Sequence, residues 1–210
     1  MRPILSISTA GFGGENQFII GLSGHIDHGK TSIVKAITGK NTDNLKEEIN
    51  RGMTINIGFA FLNETITLID VPGHEKFIKN MVAGVNAIDY AILVVAADDG
   101  IMPQTIEHFE ILNLLNINDG CVVINKTDKV DKDWLELVEL EIKELVKHSF
   151  LADKKIHKVS TITNDGIPQL KEFLLTYNFH QNKEDRGVFR MFVDRIFQSK
   201  GFGNIVTGTI

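Results

Sequence analysis

The 210-residue sequence has one cysteine, four prolines and no long uninterrupted apolar segment. A single cysteine, Cys121, excludes an intramolecular disulfide, and its place in the apolar run CVVI predicts a buried thiol in a reducing cytoplasm. No apolar run approaches the roughly 20 residues of a membrane span, so we expect no membrane contact. The N-terminus has no apolar core of the kind found in secretion signals. Positive charge is also in the minority, with 22 Lys and Arg against 27 Asp and Glu. This balance argues against a chain that grips nucleic acid over its whole surface.

Short apolar runs alternate with amphipathic segments along the chain. We predict strands at 18–22, 55–62, 66–70, 90–97, 121–125 and 157–160, and helices at 30–38, 75–84, 104–115, 133–148 and 167–177. The helix at 133–148 is expected to open with an aspartate cap, Asp133. Continuous apolar strands that alternate with helices are typical of an α/β fold with a doubly wound, mostly parallel sheet and helices on both faces. Only three residues separate 55–62 from 66–70, which predicts an antiparallel hairpin at the sheet edge.

The composition divides the chain into four parts. We expect residues 1–16 to be a weakly ordered extension, 17–178 the main globular domain, and 179–186 a polar linker. Residues 187–210 have a period of two broken by glycines, which predicts the first strands of a truncated β-barrel. The chain is long enough to bury a core without disulfides, and we expect a cytoplasmic monomer.

The clearest motif is GHIDHGKTS, which follows the first predicted strand and opens the first helix. It fits G-x-x-x-x-G-K-[ST], the phosphate-binding loop (P-loop), in the required strand–helix context. Glycines let successive N–H groups point inward, and the helix N-terminus adds positive potential for phosphate. Lys30 is expected to reach the β- and γ-phosphates, and the Thr31 hydroxyl to bind Mg²⁺. The candidate nucleotide-binding residues here are Gly24, His25, Asp27, His28, Gly29, Lys30, Thr31 and Ser32. The histidines could equally be ordinary loop or helix-face residues.

Two further segments provide candidates for the metal and the γ-phosphate. RGMT places Thr54 after a polar loop, where its hydroxyl could close over Mg²⁺. DVPG follows another strand, with Asp70 suited to hold Mg²⁺ through water and Gly73 suited to approach the γ-phosphate. The predicted metal residues are therefore Thr31, Thr54 and Asp70. The candidate catalytic residues are Lys30, Thr54, Gly73 and His74.

NKTD, residues 125–128, identifies the base. The Asp128 carboxylate can accept from both the ring N–H and the exocyclic amine of guanine, whereas adenine offers no such pair of donors. Asn125 would brace the loop, and the stem of Lys126 could lie over the ring. A backbone N–H near Ser160 or Thr161 would meet the guanine O6. The sequence therefore predicts GTP and GDP as ligands, together with Mg²⁺.

His74 directly follows Asp-x-x-Gly, where a side chain projects towards the attacking face of the γ-phosphate. A histidine there could orient the attacking water as a neutral acceptor, or stabilise negative charge if it is protonated. The alternative is a surface histidine at the start of a helix.

Taken together, GHIDHGKTS, RGMTI, DVPGHEKFIKNM, AADDGIMPQTIEH and NKTD resemble the translational GTPases of the elongation-factor-Tu type. The resemblance covers nearly all of residues 18–177 and implies a P-loop GTPase domain (G domain). RGMTINIGFAF and VDRIFQSKGFGNIVTGT make the chain most similar to the selenocysteine-specific branch of this family. The resemblance implies GTP hydrolysis stimulated by the ribosome, and an aminoacyl-tRNA partner, selenocysteyl-tRNA, held mainly by domains beyond these residues. It also implies that an apolar gate, Ile26 and Met53, holds His74 out of position.

Asp27 stands where translational GTPases often keep an acid. It could hold K⁺ or Na⁺ beside the phosphates or simply form a turn with its own backbone.

Other functional classes stay open at this point: another tRNA-carrying factor, such as elongation factor Tu or the archaeal-type initiation factor subunit, a non-hydrolysing GTP-binding scaffold, or a metabolic P-loop kinase.

Overall fold

The computed structural model of the chain describes residues 18–40, 42, 58–72, 88–178, 192–199 and 203–209. The predicted extension 1–16, the helix 75–84 and the linker 179–186 lie outside the described residues, as do Thr54, Gly73 and His74.

A six-stranded sheet forms the centre of the domain. Its strands are β1 (Phe18–Ser23), β2 (Gly58–Phe61), β3 (Ile66–Asp70), β4 (Tyr90–Ala96), β5 (Gly120–Asn125) and β6 (Ile156–Lys158), in the spatial order β2-β3-β1-β4-β5-β6. All neighbouring pairs are parallel except β2 and β3, which confirms the predicted antiparallel edge hairpin. The predicted α/β fold with a mostly parallel sheet is therefore correct.

Four α-helices cover the described sheet: α1 (Lys30–Thr38), α2 (Pro103–Leu114), α3 (Lys132–Val146) and α4 (Ile167–Thr176). Ile20, Leu22 and Val94 face a cluster that includes α1 and α4. The alternate residues of β4, such as Leu93 and Val95, face α2 and α3. Because the central strands are buried on both faces, they read in the sequence as unbroken apolar runs.

Some predicted boundaries need correction. Helix α3 opens at Lys132 and is capped by Asp131, whose Oδ1 accepts from the Trp134 N–H at 2.8 Å, so Asp133 lies in the first turn and is not the cap. The last strand ends at Lys158, two residues before the predicted end, because Ser160 turns to pair its N–H with the Asp165 carbonyl.

Residues 192–199 and 203–209 form a separate antiparallel pair of strands, β7 (Phe192–Ser199) and β8 (Gly203–Thr209). They agree with the predicted strand content, while their membership of a β-barrel stays a prediction. Cys121 is fully buried, as expected, and burial raises the pKa of its thiol to about 12. Within the described ranges, no helix combines the length and apolarity of a transmembrane segment.

Candidate functional site

The carboxyl ends of the parallel strands meet at one edge of the sheet. β1 runs into the GHIDHGKTS loop, β3 ends at Asp70, and β5 ends at Asn125. This edge is where open α/β sheets bind their ligands. The strand order therefore brings together three motifs that are far apart in the sequence.

The P-loop has two positions at which only glycine fits. Gly24 has φ 139°, and an added Cβ would lie 2.3 Å from the Val94 carbonyl oxygen. Gly29 has φ 84°, and an added Cβ would lie 2.3 Å from Nδ2 of Asn125. That Nδ2 donates to the His28 carbonyl at 3.1 Å, so the NKTD asparagine braces the phosphate loop directly. Contact of Asn125 with a base stays a prediction.

Lys30 lies at the centre of the loop and is only 6% exposed. Its Nζ donates to the carbonyl oxygens of Gly24 at 2.9 Å and His25 at 2.7 Å. Burial lowers the pKa of this ammonium to about 8, although Asp70 and Asp27 oppose the shift. A buried cation ringed by loop carbonyls is stabilised when an anion approaches. These residues therefore fit a phosphate.

The two described members of the predicted metal set are in direct contact. Thr31 Oγ1 donates to Asp70 Oδ2 at 2.5 Å, at the N-terminus of α1 and beside Lys30. A hydroxyl and a carboxylate are the oxygen donors that Mg²⁺ uses beside substrate phosphates. The residues present thus fit a magnesium ion.

Sequence reasoning missed two residues of α2 that support the loop. His108 Nδ1 accepts from the Gly24 N–H at 3.1 Å, and Gln104 Oε1 accepts from the Ile26 N–H at 3.3 Å. His108 is 84 residues from Gly24, and in the sequence it reads only as a polar residue on a helix. The available signal in the sequence was the segment MPQTIEH, which belongs to the family resemblance but had no predicted function.

The two buried histidines of the site are in opposite tautomers. His28 Nδ1 faces the Val94 carbonyl at 3.3 Å, so it must donate. His108 Nδ1 accepts an N–H, so its proton sits on Nε2. Burial lowers the pKa of His28 to about 4 and that of His108 to about 3, with Lys30 adding to both shifts. Both imidazoles are therefore neutral supports of the loop.

We expect His108→Leu to weaken GDP binding about tenfold, because it leaves the buried Gly24 N–H without an acceptor. His108→Asn is the matched control, since its Oδ1 can occupy the position of Nδ1 and keep the bond. Equilibrium binding of a fluorescent GDP would measure both variants. Equal affinities for the leucine and asparagine variants would contradict a role for this bond.

The guanine motif is completed from another strand. Ser160 is fully buried, and its Oγ donates to Asp128 Oδ1 at 2.5 Å while accepting from the N–H groups of Ile162 and Thr163. One carboxylate oxygen of Asp128 is thus anchored while the side chain stays exposed. Asp128 is thereby oriented before any base arrives.

The segment from Ser160 to Thr163 leaves one backbone donor available. The N–H of Ser160 is bonded to the Asp165 carbonyl, and those of Ile162 and Thr163 to Ser160 Oγ. Among the described residues, none accepts from the Thr161 N–H. It is the donor of this loop that could meet the guanine O6.

Lys126 is held by acids at the end of β4. Its Nζ lies 3.3 Å from Asp98 Oδ1 and 3.2 Å from Asp99 Oδ2, and Lys129 Nζ lies 2.6 Å from Asp98 Oδ2. These lysines flank Asp128 in the turn Thr127–Lys129. Asp98 therefore ties both sides of the turn to β4, a contact that sequence reasoning missed.

The remaining predicted P-loop residues differ in their exposure. His25 is half-buried, with its ring 5.0 Å from that of His28, and burial lowers its pKa. His28 is fully buried, whereas Asp27 and Ser32 are exposed. Contacts of these four with a nucleotide stay predictions.

We expect the domain to lose stability as the pH falls below about 6.5. His28, His108 and His157 have pKa values lowered by burial to about 4, 3 and 4. Below that pH the three histidines become protonated in the unfolded chain and stay neutral in the folded chain. The free energy of unfolding then falls by up to about 1.4 kcal/mol per histidine per pH unit. Stability is complete above pH 6.5 and declines towards the folded-state pKa values. The midpoint of urea unfolding, measured at pH 7.5, 6 and 5, tests this expectation. The midpoint of the His157→Gln variant should fall less steeply with decreasing pH than that of the wild type. Equal pH dependence of the two midpoints would contradict it.

A mostly parallel sheet with helices on both faces and a G-x-x-x-x-G-K-[ST] loop between β1 and α1 defines a P-loop nucleotide-binding domain. Residues 15–180 match the family described as the elongation factor Tu GTP binding domain. The chain therefore belongs to this family of GTP-binding domains.

The chain is also similar to individual proteins. The chain is 51% identical over 197 residues to the selenocysteine-specific elongation factor of Desulfomicrobium baculatum, covering 91% of this chain and 31% of that protein. A bacterial selenocysteine-specific elongation factor, EF-Sec, has a similar structure, with a TM-score of 0.78 and 40% identity over 92% of this chain and 34% of that one. The structure of elongation factor SelB from Methanococcus maripaludis, in complex with the GTP analogue GPPNHP, is also similar, with a TM-score of 0.72 and 35% sequence identity. That match covers 92% of this chain and 41% of the SelB chain. The chain therefore spans less than half the length of each of these proteins.

Proposed function

We propose that this chain is the GTP-hydrolysing switch of an elongation factor that delivers selenocysteyl-tRNA to the ribosome. The 51% identity to a selenocysteine-specific factor, over 91% of the chain, supports the assignment. The solved relative in complex with the GTP analogue GPPNHP supports a nucleotide-loaded form of this domain. In this proposal the factor acts as a monomer in the cytoplasm.

The Ser160–Asp128 pair carries the choice of base. A carboxylate that is anchored on one oxygen and exposed at the sheet edge suits the two adjacent donors of guanine. Asn125 braces the loop, the stem of Lys126 lies along the base, and the Thr161 N–H meets O6. GTP and GDP should displace a fluorescent GDP, and a hundredfold excess of ATP should not. Displacement by ATP would rule out this reading of Asp128.

Lys30 and the P-loop N–H groups between Gly24 and Ser32 bind the phosphates in this proposal. The Thr31 hydroxyl and Asp70 hold Mg²⁺, Asp70 through water. When bound, Mg²⁺ supplies positive charge that offsets the charge developing on the phosphate oxygens. Phosphate binding would also oppose the effect of burial on the pKa of Lys30, because a nearby anion stabilises the charged ammonium.

The catalytic roles of Thr54, Gly73 and His74 rest on the sequence motifs, since these residues lie outside the described ranges. Thr54 closes over the metal and the γ-phosphate, the Gly73 N–H meets the γ-phosphate, and His74 orients the attacking water. Gln104 holds the N–H of Ile26, a half-buried member of the proposed apolar gate; Met53, the other member, lies outside the described residues.

We further propose a monovalent cation beside Asp27. Asp27 has φ 61°, and its exposed side chain lies on the loop that surrounds Lys30. A cation there would add positive charge as the γ-phosphate leaves. Hydrolysis should be faster in K⁺ or Na⁺ than in a bulky organic cation. Equal rates in all three would leave Asp27 as a turn residue.

The full-length factor that contains this domain provides the test of the tRNA partner. In its GTP form it should bind selenocysteyl-tRNA in preference to the same tRNA charged with serine. Equal binding of both, with GTP binding intact, would favour another tRNA-carrying factor of the family.

A further inference from the structure

Thr42 lies against the carboxylate of the candidate metal site. It is only 5% exposed, and its Oγ1 donates to Asp70 Oδ2 at 2.9 Å. The same oxygen accepts from Thr31 Oγ1 at 2.5 Å. Asp70 thus receives two threonine hydroxyls, one from the start of α1 and one from the segment that follows it. Neither the motifs nor the proposed function gives Thr42 a role.

Gly58 makes the room that Thr42 occupies. A Cβ added at Gly58 would lie 2.5 Å from Thr42 Cβ, and Gly58 is paired with Asp70 in the β2–β3 register. Thr42 and Gly58 bracket residues 43–57, the segment that contains Thr54. Both of these flanking residues lie beside Asp70, Thr42 through its hydroxyl and Gly58 through strand pairing.

A carboxylate serves a metal well only when its orientation is held. Hydrogen bonds to metal-binding carboxylates set that orientation, and their loss commonly costs about 10–100-fold in metal affinity. Hydrogen bonds to a charged acceptor are also stronger than neutral ones, more so where water is excluded. The Thr42 bond is buried and charge-assisted, so it meets both conditions.

We propose that Thr42 is a positioning residue of the Mg²⁺ site, whose hydroxyl holds the Asp70 carboxylate in the orientation that serves the metal. This inference rests on the proposed function, in which Asp70 serves Mg²⁺. The inference predicts different effects on Mg²⁺ binding and on recognition of the base. Loss of the Thr42 hydroxyl weakens Mg²⁺ binding in the nucleotide complex and leaves recognition of the base unchanged.

The decisive variant is Thr42→Val, which keeps the shape of the side chain and removes the hydroxyl. The measurement is the release rate of a fluorescent GDP from the 210-residue chain as the Mg²⁺ concentration is varied. The concentration at which release slows by half should rise about tenfold or more. GDP affinity in EDTA should equal that of the wild type. Thr42→Ser retains the hydroxyl and should restore the wild-type midpoint.

Two further variants guard against a general loss of packing. Thr67→Val removes a buried threonine hydroxyl from the same strand as Asp70 and should leave the Mg²⁺ midpoint unchanged. Gly58→Ala pushes a methyl group against Thr42 and should shift the midpoint in the same direction as Thr42→Val.

The results separate this inference from the proposed function. A wild-type chain that binds GDP without any effect of Mg²⁺ would overturn the assignment of Asp70 itself. A Mg²⁺-dependent wild type with an unshifted Thr42→Val midpoint would overturn only the role of Thr42. An equal loss of GDP affinity in EDTA and in Mg²⁺ would also overturn it, because Thr42 would then support the fold rather than the metal.

Discussion

Replacing Asp128 by asparagine should turn this chain from a GTP-binding protein into one that prefers xanthosine triphosphate. The carboxylate accepts two hydrogen bonds from guanine, whereas an amide offers one acceptor and one donor. Xanthine carries an oxygen where guanine has its exocyclic amine, so it matches the amide. We expect GTP affinity to fall by at least about 100-fold, because two charge-assisted bonds are lost and donors are set against each other.

The structure explains why the new side chain should adopt the correct orientation. Ser160 Oγ accepts from two backbone N–H groups, so its own proton is committed to residue 128. In the Asp128→Asn variant, the amide oxygen is therefore held by Ser160 and the NH₂ group points to the base. Competition of GTP and XTP against a fluorescent nucleotide measures the switch. Asp131→Asn is the control, since asparagine also caps helix α3 and should leave the preference for GTP unchanged. A variant that still prefers GTP would defeat the assignment of Asp128.

His74→Ala, in the full-length factor, should leave GTP binding nearly intact and lower ribosome-stimulated hydrolysis by about 10²–10⁴-fold. Phosphoryl transfer to water leaves the protein mainly with positioning and electrostatic stabilisation, so the residue that places the water controls the rate. In the proposed function that residue is His74, held out of position until the ribosome rearranges the site. The 210-residue chain alone should therefore turn over slowly, on the order of 10⁻⁴ to 10⁻² per second.

The described histidines provide the controls. His28 and His108 are neutral and engaged with backbone groups, so their roles are structural. His148 is exposed near the end of α3, and His148→Ala should keep the full stimulated rate. Single-turnover hydrolysis on ribosomes, with GTP affinity measured in parallel, distinguishes binding from chemistry. Equal stimulated rates for wild type and His74→Ala would make His74 a bystander. A wild type that ribosomes do not stimulate would favour the GTP-binding scaffold.

The sequence alone determined the elements and most of the ligand chemistry. Strands that are buried on both faces are apolar throughout, so continuous apolar runs in the sequence predict β1, β4 and β5. The sequence also predicts the P-loop, because its residues are contiguous and meet local requirements. Gly24 and Gly29, for example, provide the positive φ angles of the loop. Helix α3 was predicted correctly in type, while its cap was wrong by two residues, because several nearby polar residues can serve the same N-terminus.

Only the tertiary structure decided which distant side chains meet. The strand order places β1 between β3 and β4, which brings the P-loop between Asp70 and the end of β4. His108 is buried against Gly24 because α2 packs beneath the loop, although a histidine on a helix carries no such signal in the sequence. Ser160 meets Asp128 because β6 lies beside β5, and Thr42 meets Asp70 because Gly58 leaves room for it. Local patterns set backbone conformation, whereas pairings between segments depend on the packing of the whole sheet, and those pairings orient the residues that the motifs had named.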